Sequence, residues 1–135
     1  MLLVDTGIFV SVADRSEPRH PDCVELFRGR SDLAVTASVI PEAAWLIETR
    51  LGPAAEARFL ALVTSSRFTI VDLTASDYQR SISLITTYSD LGLGFVDGSL
   101  IAVAERLELT TIATLNHRDF AVVRPAHCPA FELVP

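Results

Sequence analysis

A chain of 135 residues, half of them hydrophobic and 21% charged, has room for one domain spanning residues 1–135 and lies far from the compositions of disordered segments. No apolar run reaches the roughly 18–20 residues of a membrane span and the N-terminus lacks the basic region of a secretory leader, so no membrane contact and a cytoplasmic location are expected. The formal net charge of −6 excludes a generally basic nucleic-acid-binding surface, and two distant cysteines, Cys23 and Cys128, exclude a disulfide framework.

The first element is a short apolar run, Leu2-Leu3-Val4, read as a buried strand that stops at Asp5-Thr6-Gly7. A helix follows through Ile8 to Ala13, then turn chemistry from Asp14 to Arg19, then a second helix opened by Pro21 and ending near Gly29. Leu33-Ala34-Val35 reads as the second strand. From Ser38 to Leu51, Ile40, Ala43, Ala44, Ile47 and Leu51 recur at helical spacing, with Ser38 as N-cap and Gly52-Pro53 as stop. Ala54 to Val63 continues as helix, and Phe68 to Leu73 alternates like a strand. Ser76 or Thr74 caps a helix running toward Tyr88, and Gly92-Leu93-Gly94 breaks the chain. Val96, Leu100, Val103, Ala104 and Leu107 then mark a helix whose extra apolar residues Ile101 and Ala102 predict deep burial. Thr110 to Ala113 reads as a strand, Thr114 to Phe120 as a loop, and Pro129 to Val134 as an edge strand. Strands alternating with long helices predict a mainly parallel sheet of four to five strands covered on both faces, with functional groups gathered beyond the strands' carboxyl ends.

Three carboxylates stand where apolar or small residues would be usual: Asp5 after Leu-Leu-Val, Glu42 within Val-Ile-Pro-Glu-Ala-Ala-Trp, and Asp97 after Gly-Phe-Val. Each alone has a structural explanation, since Asp5 and Asp97 can cap the helices that follow them and Glu42 can complement a helix dipole. Together they point to a shared cation site, because desolvated acids are compensated by protonation or by a positive ion. Hard oxygen donors favour Mg²⁺, with Mn²⁺ able to substitute.

In their order and spacing these segments resemble the PIN-domain family, and in particular its VapC toxins. Leu3-Val4-Asp5-Thr6 resembles the family's first-strand motif, Val39-Ile40-Pro41-Glu42 the segment that supplies its glutamate, and Phe95-Val96-Asp97-Gly98-Ser99 through Ala104 its most recognisable helix. The resemblance covers essentially the whole chain. It implies a PIN-like three-layer α/β/α fold and a Mg²⁺-dependent endoribonuclease, the toxin of a type II toxin–antitoxin pair, leaving 5′-phosphate and 3′-hydroxyl ends. It implies Asp5, Glu42 and Asp97 as metal-holding catalytic residues, an RNA substrate, a VapB-type antitoxin partner and a homodimer. The antitoxin arm is expected to wrap the toxin, in many relatives pushing an arginine into the acid cluster.

The chain departs from the family in Thr114-Leu115-Asn116-His117-Arg118-Asp119-Phe120, where many relatives carry aspartate at the position of Asn116. Asp119 is preferred as fourth acid and metal ligand, with Asn116 ligating through its amide oxygen or orienting a water. Thr6, Arg118 and Arg124 are taken as substrate-binding, Thr6 alternatively as a turn hydroxyl. Arg15, Arg19, Arg28 and Arg30 are further phosphate-gripping candidates or plain surface residues. All eleven basic residues are arginine. The absence of lysine argues against a two-component receiver or a haloacid-dehalogenase-like phosphatase, which use one. The remaining alternative is a PIN-like module with a degenerate metal site that binds RNA or protein without cutting.

Overall fold

The computed structural model describes all of residues 1–135. Five strands, β1 (Leu2–Val4), β2 (Leu33–Thr36), β3 (Phe68–Val71), β4 (Thr111–Ala113) and β5 (Glu132–Val134), form one sheet in the order β3-β2-β1-β4-β5. Every neighbouring pair is parallel, with Leu3 opposite both Ala34 and Ile112, Ala34 opposite Thr69, and Ile112 opposite Leu133. Leu2, Leu3, Val4, Leu33, Ala34, Val35, Ile112 and Ala113 are buried, which explains why the central strands read as continuous apolar runs rather than alternations.

Seven helices connect the strands: α1 (Thr6–Ala13), α2 (His20–Phe27), α3 (Val39–Leu51), α4 (Pro53–Val63), α5 (Ala75–Thr87), α6 (Phe95–Arg106) and α7 (His117–Val122). The chain moves outward from β1 through β2 to β3, then returns past β1 to β4. Right-handed crossovers therefore put α1 to α4 on one face and α5 and α6 on the other, giving the α/β/α sandwich. On the first face Phe9 stacks edge-on against Phe27 and Phe59, with ring centroids 5.9 and 5.1 Å apart. On the second, α6 is buried without interruption from Gly98 to Ala104, as its all-round apolar sequence demands.

Local signals set most boundaries. Gly52 adopts φ 87°, a conformation that favours glycine, so α3 ends there and Pro53 opens α4 at once. Thr74 caps α5 in a reciprocal box with Asp77. Three expectations need correction. Ser38 sits at the N-cap position of α3 but makes no cap bond, because its hydroxyl is engaged by Ser99 and Thr36. The segment after β4 is not wholly loop, since α7 occupies His117–Val122 with Asn116 as its cap; six residues are too few for periodicity to register. Asp97 is not a cap either, because α6 already begins at Phe95 with Gly94 as N-cap.

Candidate metal centre

Direction reverses between β1 and β4, neighbours in the sheet whose following helices lie on opposite faces. A crevice opens at such a switch point beyond the strands' carboxyl ends, and the acids gather there. Asp5 follows β1 and is 6% exposed. Its Oδ1 accepts from the Thr6 backbone N–H at 2.7 Å and its Oδ2 from the Thr114 hydroxyl, also at 2.7 Å. Thr114, the residue after β4, is fully buried and in turn accepts from the Asn116 N–H at 3.0 Å. The carboxylate is thus oriented from both strands that flank the crevice.

Glu42 lies in the first turn of α3 and is exposed. The Thr6 hydroxyl donates to its Oε2 at 2.6 Å, so the threonine links the acid of α3 to the turn that carries Asp5. Asp97, in the first turn of α6, shows most clearly what the surroundings do. Burial, then the charges of Asp5, Glu42 and Asp119, push its carboxyl up to about 7. Asp5 is raised as well, chiefly by burial and also by Glu42, against the lowering effect of its two hydrogen bonds. Four carboxylates therefore share one field, although three belong to helices and one to a turn.

Asp119 behaves differently. Its Oδ2 accepts from the Asn116 amide at 3.0 Å and its Oδ1 from Arg118 Nε at 3.2 Å, and these partners hold its carboxyl below the usual range. Asn116 is spent as a helix cap and as donor to Asp119, its side-chain oxygen accepting the Asp119 N–H. Arg118 is 84% exposed and bound to that same acid. Arg124 does not reach the acids: its guanidinium bonds the carbonyls of Ala121 and Val123, and its N–H donates to Tyr88. Arg19, Arg28 and Arg30 pair with Asp22, Glu25 and Asp32. His117 is half-buried at the start of α7, with Nε2 enclosed and unpartnered, rather than lying in an exposed loop.

Sequence reasoning gives Thr114, Ser38 and Ser99 no place in the site. Ser99 Oγ lies 2.7 Å from Ser38 Oγ, which lies 3.0 Å from Thr36 Oγ1, tying the start of α6 to the end of β2. Their only sequence signal is small polar residues directly after strands and two positions past Asp97.

The donor set is entirely hard oxygen, partly desolvated and of like charge, which fits a divalent cation. No three of these side chains stand in a ready-made coordination sphere.

A parallel α/β fold with an acidic centre at its switch point is the class defined so far. The PIN domain family model matches residues 2–124, and the chain belongs to the PIN-domain family. Among curated relatives, Ribonuclease VapC26 of Mycobacterium tuberculosis (strain ATCC 25618 / H37Rv) is 27% identical over 135 residues, covering 99% of this chain and 100% of that protein. Among solved structures, VapC20 of Mycobacterium tuberculosis, described as a Sarcin-Ricin loop cleaving toxin, superposes with TM-score 0.78 at 18% identity over 83% of this chain and 87% of its own. A toxin–antitoxin complex from Klebsiella pneumoniae follows with TM-score 0.70 at 21% identity over 97% and 99%.

Proposed function

We propose that the protein is a VapC-type toxin ribonuclease, hydrolysing RNA phosphodiesters to 5′-phosphate and 3′-hydroxyl ends and held in check by a VapB-type antitoxin. The observation that carries this reading is the convergence of Asp5, Glu42, Asp97 and Asp119 on one field strong enough to bring Asp97 to about 7. The similarity to Ribonuclease VapC26 over the full length of both chains supports the activity, and the Klebsiella pneumoniae complex supports the kind of partner. The homodimer and the cytoplasmic location belong to the same reading; no helix is long and apolar enough to cross a membrane.

Asp5, Glu42 and Asp97 would hold Mg²⁺ or Mn²⁺, with Asp119 as the fourth acid and Asn116 its positioning partner. A bound divalent ion supplies positive charge to the phosphate and lowers the pKa of water. The protein's own contribution is preorganisation. Thr114 and the Thr6 N–H fix both oxygens of Asp5, and the Thr6 hydroxyl fixes Glu42, so the charges need little rearrangement when a cation enters. A bound cation would favour the ionised form of Asp97, its proton passing to solvent. Arg118, exposed beside Asp119, would meet a phosphate of the substrate.

A second reading, a PIN module that binds without cutting, draws on Asn116 serving as helix cap and on the absence of a preformed coordination sphere. One experiment separates the two. Labelled RNA is incubated with Mn²⁺ and wild-type protein or Asp97→Asn, while Mn²⁺ binding is measured by titration calorimetry. The nuclease reading expects saturable binding and cleavage in the wild type, both lost in the variant. Saturable binding in neither protein favours the non-cutting module.

A further inference from the structure

Beside the acids, on the other flank of the first turn of α6, lies a surface of different chemistry. Phe95, the first residue of α6, and Asp97 stand two positions apart, about 200° round a helix of 3.6 residues per turn, so ring and carboxylate project from opposite sides of one helix end. Phe95 meets α5, where its ring lies nearly parallel to that of Tyr78, with centroids 5.7 Å apart and planes inclined by 11°. Both rings remain exposed, Tyr78 by 51% and Phe95 by 41%. They line a pocket of about 440 Å³ together with Ser38 and Pro41 at the start of α3 and Asp72 and Leu73 after β3. That is the size of a small-ligand site.

Parallel exposed rings present the flat π surface on which unpaired nucleobases stack. One polar group in the pocket is uncommitted. The Asp72 side chain forms no hydrogen bond and no ion pair, while its backbone carbonyl accepts from Arg106 Nη2 at 3.3 Å. Arg106 is itself held by Asp77, which closes the capping box of α5 with Thr74, so the backbone that carries Asp72 is fixed. No basic residue lines the pocket, which disfavours a phosphate there and favours a flat ring bearing N–H donors. Among the RNA bases only guanine sets two donors, N1–H and N2–H, side by side to match both oxygens of one carboxylate. Adenine and cytosine pair one donor with an acceptor that the carboxylate repels, and uracil has a single N–H between two carbonyls. A second copy of the chain on this face would have to bring a cation onto Asp72 or bury its charge unpaired.

We propose that this pocket holds a guanine base of the RNA strand, stacked on Phe95 and Tyr78 and recognised by Asp72, while a neighbouring phosphate lies at the acid centre. The inference rests on the ribonuclease reading and adds to it a base-specific subsite. Gly94, the N-cap of α6, makes no side-chain cap bond, and open space lies where a Cβ would stand. The sugar–phosphate backbone can therefore pass over the tip of α6 from one flank to the other, its charge favoured by the helix N-terminus. Opposite flanks of a helix with its side chains are about 10 Å apart, a distance that roughly one or two extended nucleotides cover, so the guanine sits close to the scissile bond.

Pentaribonucleotides with four uridines around a central guanosine, inosine, adenosine, cytidine or uridine test this. Each is titrated in chelator, so that no strand is cut, into ¹⁵N-labelled wild type, Asp72→Asn and Phe95→Leu, with thermal unfolding checking the fold of each variant. In the wild type, whose series alone decides the preference, the guanosine strand should bind saturably and shift the amides of Leu73, Tyr78 and Phe95. Its affinity should exceed that of the adenosine strand about tenfold, with inosine, which lacks the N2 amino group, between them. Asp72→Asn should erase the preference, whereas Phe95→Leu should weaken the guanosine and adenosine strands alike by about fivefold. Equal affinity for all strands, shifts confined to other elements, or a preference that survives in Asp72→Asn overturns the proposal. So does a concentration-dependent shift of these amides in the free protein, which would give the face to a second copy of the chain. Cleavage of random-sequence RNA in Mn²⁺ separates the subsite from the nuclease: the ends left by wild type should carry guanine at one fixed position close to the cut, a bias absent from Asp72→Asn. Cutting without that bias removes only the subsite, whereas guanosine binding without any cutting removes the nuclease and leaves the subsite standing.

Discussion

Asp97 titrates at about 7 rather than in the ordinary carboxylate range because burial and three neighbouring carboxylates disfavour the charged form. Below about 3.8, its ordinary value, folded and unfolded chains are both protonated at this position. Between there and about 7 the unfolded chain has lost a proton that the folded chain still binds, so stability falls as pH rises through this window. With chelator present, Asp97→Asn should raise Tm by several degrees at about pH 8 and leave it nearly unchanged at about pH 4. An equal shift at both pH values would show that Asp97 does not carry this strain. Mn²⁺ should reverse the order at high pH, stabilising the wild type and not the variant. Asp77 has the opposite sign. Burial works to raise its carboxyl, but Arg106 and the Thr74 cap hold it below the ordinary range. Its contribution is present at neutral pH and lost as pH falls through its lowered value. Asp77→Ala, by stranding Arg106 and removing the capping box, should cost about 2–4 kcal/mol in urea unfolding at pH 7. A cost no larger than that of an ordinary cap would mean the pair is solvent-screened.

At the scale of elements, α6 places Asp97 and α7 places Asp119, and each makes its own prediction. The Cβ of an alanine at Gly98 would meet Ser81 of α5 at 3.7 Å, an ordinary contact. Gly98→Ala should therefore stabilise the helix by about 0.5–1 kcal/mol through propensity alone, measured as a shift in urea midpoint with unchanged slope. A loss instead would mean that α5 and α6 pack more tightly than this spacing shows. In α7, Asn116→Asp keeps a capping oxygen but replaces the amide that donates to Asp119 with a further negative charge. Metal-free protein should lose stability and Mn²⁺ affinity should rise; unchanged affinity would place Asn116 outside the site. The short α7 was invisible to periodicity, yet Asn116 followed three residues later by Asp119 is a cap signature that identifies the start of a helix once the segment is read for caps.

For the whole molecule, alternation of apolar runs and amphipathic stretches sufficed to establish a parallel sheet with helices on both faces, because only long crossovers connect parallel strands. It also singled out Asp5, Glu42 and Asp97, because a carboxylate among apolar residues is anomalous in any sequence. Strand order is a different matter. That β1 lies between β2 and β4 depends on which helix layers bury most surface, a sum over contacts far apart in the chain. From that order follow the crevice, the Thr114 bond to Asp5 across 109 positions, and the spending of Arg124 on backbone carbonyls rather than beside the acids. Residue types and their spacing were enough to single out the acids and to carry the resemblance to the PIN-domain family, since charge and hydropathy are local properties of side chains. Which hydroxyl orients which acid, and which exposed rings stack, was decided only when packing brought distant segments together, because those energies exist only between neighbours in space.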